Sequence, residues 1–276
     1  MQHQEGTFSG SEGLALYYQC WQPDDLARGV LVIVHGHGEH SGRYKHVVNH
    51  LVPQGFAVYA LDHRGHGRSP GQRGYVNSMA DFRGDVRAFV QLAAAANPGL
   101  PLFVMGHSLG GLITLDYVLH HPEGLRGVIA SAPAVGSVGV SPILLQISRL
   151  LSRVWPTFSM ETGLDVNGIS RDPQEVKAYQ SDPLVHGKGT ARLATEVMDT
   201  AVYCQTNAHT LRLPLLMIHG TADPITALVD SRRLFDNVAA KDKTYIAYEG
   251  GYHESHNDIH YQQVVADLAA WLVERL

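Results

Sequence analysis

Five short runs of this chain are apolar at nearly every position, with no polar residue alternating through them. They are "GVLVIV", "FAVYAL", "LPLFVM", "RGVIAS" and "LPLLMI", and most lead into a glycine-bearing polar stretch. A strand without a polar face has to be covered on both sides, which an open antiparallel meander does not provide. Stretches with helical spacing lie between these runs. Tyr44, Val47, Val48 and Leu51 form one such face, with Gly55 as a stop, and "MADFRGDVRAFVQLAAAANPG", "LGGLITLDYVLHHP" and "HYQQVVADLAAWLVERL" form others. Strands of the buried type alternating with helices predict an α/β fold, with a mostly parallel central sheet flanked by helices. "LALYYQCW" (Leu14 to Trp21) and "KTYIAYEG" add strands near the two ends.

The rhythm breaks between residue 135 and about residue 208. "SPILLQISRLLSRVW" places Ile143, Ile147, Leu150, Leu151 and Val154 on one helical face, and "ARLATEVMDTAVYCQTNA" reads as another helix, with little strand signal between them. The expected organisation is one domain over 1–276 that carries a helical lid insertion at 135–208. No internal repeat, low-complexity tract or flexible linker interrupts it.

Composition removes several function classes. The formal net charge of -5 leaves no basic face for general nucleic-acid binding. Cys20 and Cys204 are too few for a disulfide framework and lack metal-ligand spacing, so reduced thiols in a cytoplasmic protein are expected. The first residues, "MQHQEGTFSGSEG", carry neither the basic nor the apolar region of a signal peptide. Apolar runs such as "VLVIV" are far too short to span a bilayer, which leaves peripheral membrane contact open. With 17 histidines in the chain, none is functional merely by being there.

In open parallel sheets, ligands bind beyond the carboxyl ends of the strands. "HGHGEH", "DHRGHGRS", "GHSLGG", "HGTADP" and "GGYHESH" all fall at such ends. Gly106-His107-Ser108-Leu109-Gly110 fits a nucleophile elbow, where a strained strand-to-helix turn lifts a serine hydroxyl above the sheet. A serine hydroxyl needs a base, and the base needs an orienting carboxylate. Asp223 and His253 follow in the order expected for this architecture, each just past a predicted strand. Asp223 can also be read as a turn or helix-capping residue before Pro224, and His256 and His260 are alternatives for the base. Oxyanion donors are expected at the backbone N–H of Leu109 and in the "HGHGEH" loop, where His37 is favoured over Gly36 and Gly38.

Taken together, "HGHGEHSGRY", "LDHRGHGRSPG", "GHSLGG", "SDPL", "HGTADP" and "YEGGYHE" resemble the monoacylglycerol lipase family of α/β-hydrolases from about Ala15 to the last helix. The resemblance implies a serine esterase of lipid metabolism, with a lid formed by the insertion after Pro133 and a small-molecule lipid ester as substrate. It implies no metal and no organic cofactor. Carried over by position, Ser108, Asp223 and His253 match the triad, His37 and Leu109 the oxyanion donors, and Glu39 and Arg43 residues near the pocket for the glycerol end. A salt-bridged helix start is the plainer reading of Glu39 and Arg43, and Arg64 is read as loop structure. Eukaryotic members carry cysteines where His186 and Thr226 stand here. Lysophospholipases and broad carboxylesterases share similar motifs, and a non-catalytic interaction protein on the same fold is the alternative from another class. The sequence does not give the oligomeric state.

Overall fold

The computed structural model describes residues 1–136 and 142–276, with the side chains of 142–145 outside the description. Its centre is an eight-stranded sheet. In chain order the first four strands are β1 (Gln2–Ser9), β2 (Ala15–Gln22), β3 (Gly29–Val34) and β4 (Phe56–Leu61). Helix α1 (Lys45–Leu51) joins β3 to β4 and ends, after a short 3₁₀ turn, at Gly55 in the left-handed region (φ 89°). Helix α2 (Met79–Ala96) leads to β5 (Leu102–His107), and α3 (Leu109–His120) leads to β6 (Gly127–Ser131).

The break in rhythm then follows. It contains α4 (Pro142–Val154), β7 (Ser159–Glu161), α5 (Pro173–Ser181), β8 (Lys188–Thr190) and α6 (Ala191–Asn207). The α/β order resumes with β9 (Leu215–Gly220), α7 (Leu228–Asn237), β10 (Lys243–Tyr248) and α8 (Tyr261–Val273). The strands lie in the order β1-β2-β4-β3-β5-β6-β9-β10. β1 and β2 run antiparallel at one edge, and β4 through β10 are parallel.

The unbroken apolar runs have a direct physical cause. In β3, Val30, Val32 and Val34 point into a layer shared with Phe82, Phe89 and Leu112 of α2 and α3. Leu31 and Ile33 point into the opposite layer, with Val47 and Leu51 of α1 and Leu268 and Leu272 of α8. Successive side chains therefore meet helices on both faces, and each fully buried one contributes about 1.5–3 kcal/mol.

Two features differ from expectation. The N-terminal stretch forms β1, paired along its whole length from Gln2↔Gln22 to Ser9↔Ala15. It is an edge strand whose polar side chains face solvent, with Phe8 alone turned inward to pack 4.9 Å from the Phe89 ring. The insertion also contains a ribbon, β7 with β8 antiparallel (Ser159↔Thr190), made of three-residue strands too short to leave an alternation pattern. Within the predicted apolar face of α4, the side chain of Ile143 lies outside the description, as do residues 137–141 of the insertion.

At the turn between β5 and α3, backbone approaches backbone. A Cβ on Gly106 would overlap the carbonyl oxygen of Gly110, and a Cβ on Gly110 would overlap the carbonyl oxygens of Val34 and His35. Gly110→Ala is therefore expected to lower stability by about 1–3 kcal/mol or more, because the opposing atoms are main chain and cannot rotate away. A thermal melt checks this, and an unchanged melting temperature would show that the packing relaxes.

Candidate active site

Ser108 sits between β5 and α3 with φ 54° and ψ -119°, a conformation costly for a residue with a Cβ. Neighbouring main chain holds it there. Its N–H donates to the Ser131 carbonyl (3.0 Å), and its carbonyl accepts from Leu112 N–H (3.1 Å) and Ala134 N–H (3.0 Å). Leu109 is the first residue of α3, so its N–H has no partner within the helix and points with the positive end of the helix dipole.

Asp223 lies in the loop after β9 and is a richly solvated carboxylate without water. Oδ1 accepts from the backbone N–H groups of Ile225 (2.7 Å) and Thr226 (3.0 Å). Oδ2 accepts from Thr226 Oγ1 (2.8 Å) and His253 Nδ1 (2.7 Å), with His219 Nε2 3.1 Å away. Burial alone would push this carboxyl up, but the hydrogen bonds from His219 and His253 hold it well below the usual carboxylate range.

Of the three candidate histidines after β10, His253 is the one that meets Asp223. His256 is fully buried and stacks on Tyr44 (4.8 Å, 8°), while His260 lies against Arg171 and the Tyr248 ring. The His253 loop is stitched to the insertion. His253 N–H and Glu254 N–H donate to the carbonyls of Gly168 (3.4 Å) and Ile169 (2.7 Å). Asp258 accepts from Tyr252 N–H (2.9 Å), Arg171 N–H (2.8 Å) and Arg171 Nε (2.9 Å).

Ser108 and His253 open onto one cavity of about 420 Å³, whose other walls include Gly36, His37 and Glu39 from the sheet side and Leu164 from the insertion. That volume suits a small organic ligand. The His37 ring packs edge-on against His66 (5.7 Å) and His186 (5.6 Å), so the loop after β3 is wedged between the "DHRGHGRS" loop and the insertion. Burial holds His37, His66 and His186 neutral, with His37 and His186 down at about 4. His186 N–H also donates to the Gly38 carbonyl (2.9 Å).

Glu39 and Arg43 form a buried set with Glu254. Glu39 Oε1 accepts from Gly36 N–H (2.6 Å) and the Tyr44 hydroxyl (2.9 Å). Arg43 donates to Glu254 Oε2 at 2.6 Å, lies 3.6 Å from Glu39, and sits 4.7 Å from the Tyr179 ring centre. Glu39 borders the cavity, whereas Arg43 stands behind it. Arg64, read from the sequence as loop structure, makes two bonds to Asp85 (2.7 and 2.9 Å) and one to the Ser11 carbonyl. Sequence reasoning missed Tyr179, His219, Glu254 and Asp258. Nothing in their spacing distinguishes them, since each acquires its neighbours only when distant loops meet.

Comparison with known proteins places the chain in context. The family described as "Serine aminopeptidase, S33" matches residues 25–260. A monoacylglycerol lipase of Mycolicibacterium smegmatis is 40% identical over 274 residues, covering 99% of this chain and 98% of the relative. The crystal structure of a Paleococcus ferrophilus monoacylglycerol lipase superposes with a TM-score of 0.87 at 36% identity, covering 95% of this chain and 99% of that one. A soluble variant of the Saccharomyces cerevisiae monoglyceride lipase, in complex with a substrate analog, gives a TM-score of 0.89 at 25% identity, over 99% and 94% of the two chains.

The Glu39 set has a measurable consequence. Burial and the nearby Glu254 charge push the Glu39 carboxyl up to about 8, against the opposing pull of Arg43. Its folded value thus exceeds its unfolded one. The folded state holds the extra proton, and this contribution to stability is lost as pH rises from the ordinary carboxylate range through about 8. Glu39→Gln removes that titration. Its stability relative to the parent chain is expected to improve between about pH 5 and pH 9, measured by denaturant unfolding at each pH. A pH-independent difference would place the proton elsewhere.

Proposed function

The chain belongs to the α/β-hydrolase family that contains the monoacylglycerol lipases, and from that premise we propose that it hydrolyses monoacylglycerols through Ser108, His253 and Asp223. The observation that carries the reading is the strained Ser108 turn, which shares one cavity with a histidine bonded to a buried carboxylate at 2.7 Å. His253, held in one tautomer by Asp223, takes the Ser108 proton as the oxygen attacks the ester carbonyl. The tetrahedral oxyanion is received by the backbone N–H groups of Leu109 and His37. Collapse expels glycerol, which leaves with the proton from His253. Water deprotonated by the same base then attacks the acyl-enzyme and releases the fatty acid. In each half-reaction His253 takes up one proton and gives it away again, to glycerol in the first and to Ser108 in the second, and no redox partner is needed.

Glu39, at the cavity wall, receives the diol end of the substrate, and Arg43 acts by holding Glu39 in place from behind. Ser108→Ala is expected to lower monoacylglycerol hydrolysis by more than about a thousandfold and to abolish labelling by a fluorophosphonate probe. Retained turnover would overturn the assignment. In a panel of substrates, faster cleavage of lysophosphatidylcholine or of short p-nitrophenyl esters than of monoacylglycerols would move the substrate class.

The stretch 135–208 is the cap over this cavity, and its outer surface meets lipid. No helix among the described residues is long and apolar enough to cross a membrane. Ile147, Leu150 and Val154 nevertheless stand on one face of α4 at 54%, 65% and 75% exposure, with Trp155 beside them. Leu164, also in the insertion, is both exposed and part of the cavity wall. The double variant Leu150→Ser with Trp155→Ser is expected to weaken binding to phospholipid vesicles severalfold while sparing turnover of a soluble short-chain ester. Equal vesicle binding would remove the idea.

A further inference from the structure

We propose that His219 is a positioning residue for the reaction, meeting the Asp223 carboxylate at the same oxygen that faces His253 and setting how strongly that carboxylate acts on the base. The inference rests on the triad reading above.

His219 is wholly buried in β9, one residue before the strand ends. Its Nε2 lies 3.1 Å from Asp223 Oδ2 and 3.1 Å from the Thr226 carbonyl oxygen. Both neighbours are acceptors, so Nε2 carries the hydrogen. In a neutral ring Nδ1 is then an acceptor, and it lies 2.7 Å from Ser231 Oγ, which is in turn 2.9 Å from the Tyr245 hydroxyl. Ser231 has one proton and two acceptors, since the Leu228 carbonyl is also 2.9 Å away, and the shorter contact is the one to the ring. The order Tyr245, Ser231, His219, Asp223 is thus a file of donors that starts on β10, passes through α7 and ends on the triad acid. The orientation of the His219 ring is fixed at both nitrogens.

The effect on chemistry follows from sharing. Asp223 Oδ2 is the atom that faces His253; Thr226 Oγ1 donates to it, and His219 Nε2 lies 3.1 Å from it with its hydrogen shared with the Thr226 carbonyl. A donor on that oxygen withdraws negative charge from it and fixes its direction. Without His219, Asp223 becomes more basic and stabilises the His253 imidazolium more strongly. The acid limb of the kcat/KM profile, which reports the free base, moves to higher pH. The looser carboxylate also holds the His253 ring less well, which lowers the rate. The titratable and charged groups that face this pair are Asp223 and His253 themselves, His107, whose ring centre lies 4.7 Å from that of His253, His256 and Glu254 beside them, Tyr245 on β10, and Arg232 and Asp236 of α7 beside Tyr245.

The test measures monoacylglycerol hydrolysis against pH for His219→Phe and His219→Gln. His219→Phe is expected to lose about tenfold or more in kcat/KM and to shift its acid limb up by about half a pH unit or more. His219→Gln, whose amide can still donate toward Asp223, is expected to recover part of both. A folded His219→Phe with an unmoved acid limb overturns the proposal. Should that variant fail to fold, Ser231→Ala, which cuts the file one step further out, carries the same test: an upward shift supports the proposal and an unmoved limb overturns it. Failure of the underlying triad has a separate signature, retained hydrolysis in Ser108→Ala.

Discussion

The distance between α3 and β3 governs how the rest of this molecule can work. Gly110 lies where any side chain would collide with the Val34 and His35 carbonyls, so the first turn of α3 is pressed against the end of the neighbouring strand. That closeness sets the N–H of Leu109 beside the loop that begins at His35. It also forces Ser108 into its positive φ, because the chain must leave β5 and enter the helix within one residue. The strain is held by main-chain bonds to Ser131, Leu112 and Ala134, which belong to the neighbouring strand β6, to α3 and to the loop after β6. The same contact that packs the core therefore builds the site.

Charge is handled around this turn by enclosure. Asp223 remains ionised because hydrogen-bond donors replace the water it has lost, and those donors come from two histidines, a threonine hydroxyl and two backbone amides. Glu39 is the contrasting case. Arg43 provides one positive charge for two buried carboxylates, and the shorter bond goes to Glu254, which also receives Asn257 Nδ2 (2.8 Å). Glu254 stays low and Glu39 is pushed up. One carboxylate beside the cavity is thus kept anionic and another is close to neutral at physiological pH, by environment alone.

What the sequence discloses follows from how far apart the interacting residues lie. Runs such as "GVLVIV" are legible because burial on both faces of a strand leaves no polar position. The Ser108, Asp223, His253 order is legible because each residue follows the carboxyl end of a strand, and those ends in a parallel sheet lie along one edge. β1 is illegible for the opposite reason: as an edge strand it buries only Phe8, and its pairing with β2 decides its conformation. His219 looks like any histidine before a glycine, since its Ser231 and Tyr245 partners come from the following helix and strand. Arg43 carries the same limit. Its spacing from Glu39 suggests a helix-start ion pair, while its stronger partner, Glu254, is far away in sequence.

The insertion is bound to the core unevenly, and this bears on how substrate reaches Ser108. Residues 168–171 are hydrogen-bonded across to the loop that carries His253 through Gly168, Ile169, Ser170 and Arg171. His186 and Thr190 are likewise tied by hydrogen bonds to Gly38 and Gly74. Displacing the whole insertion as one body would break these bonds and move His253 off Asp223. α4, by contrast, presents an apolar face to solvent, and its outer ion pair, Arg149 with Asp199, is exposed and weak. Any rearrangement that keeps His253 on Asp223 therefore leaves residues 168–190 in place.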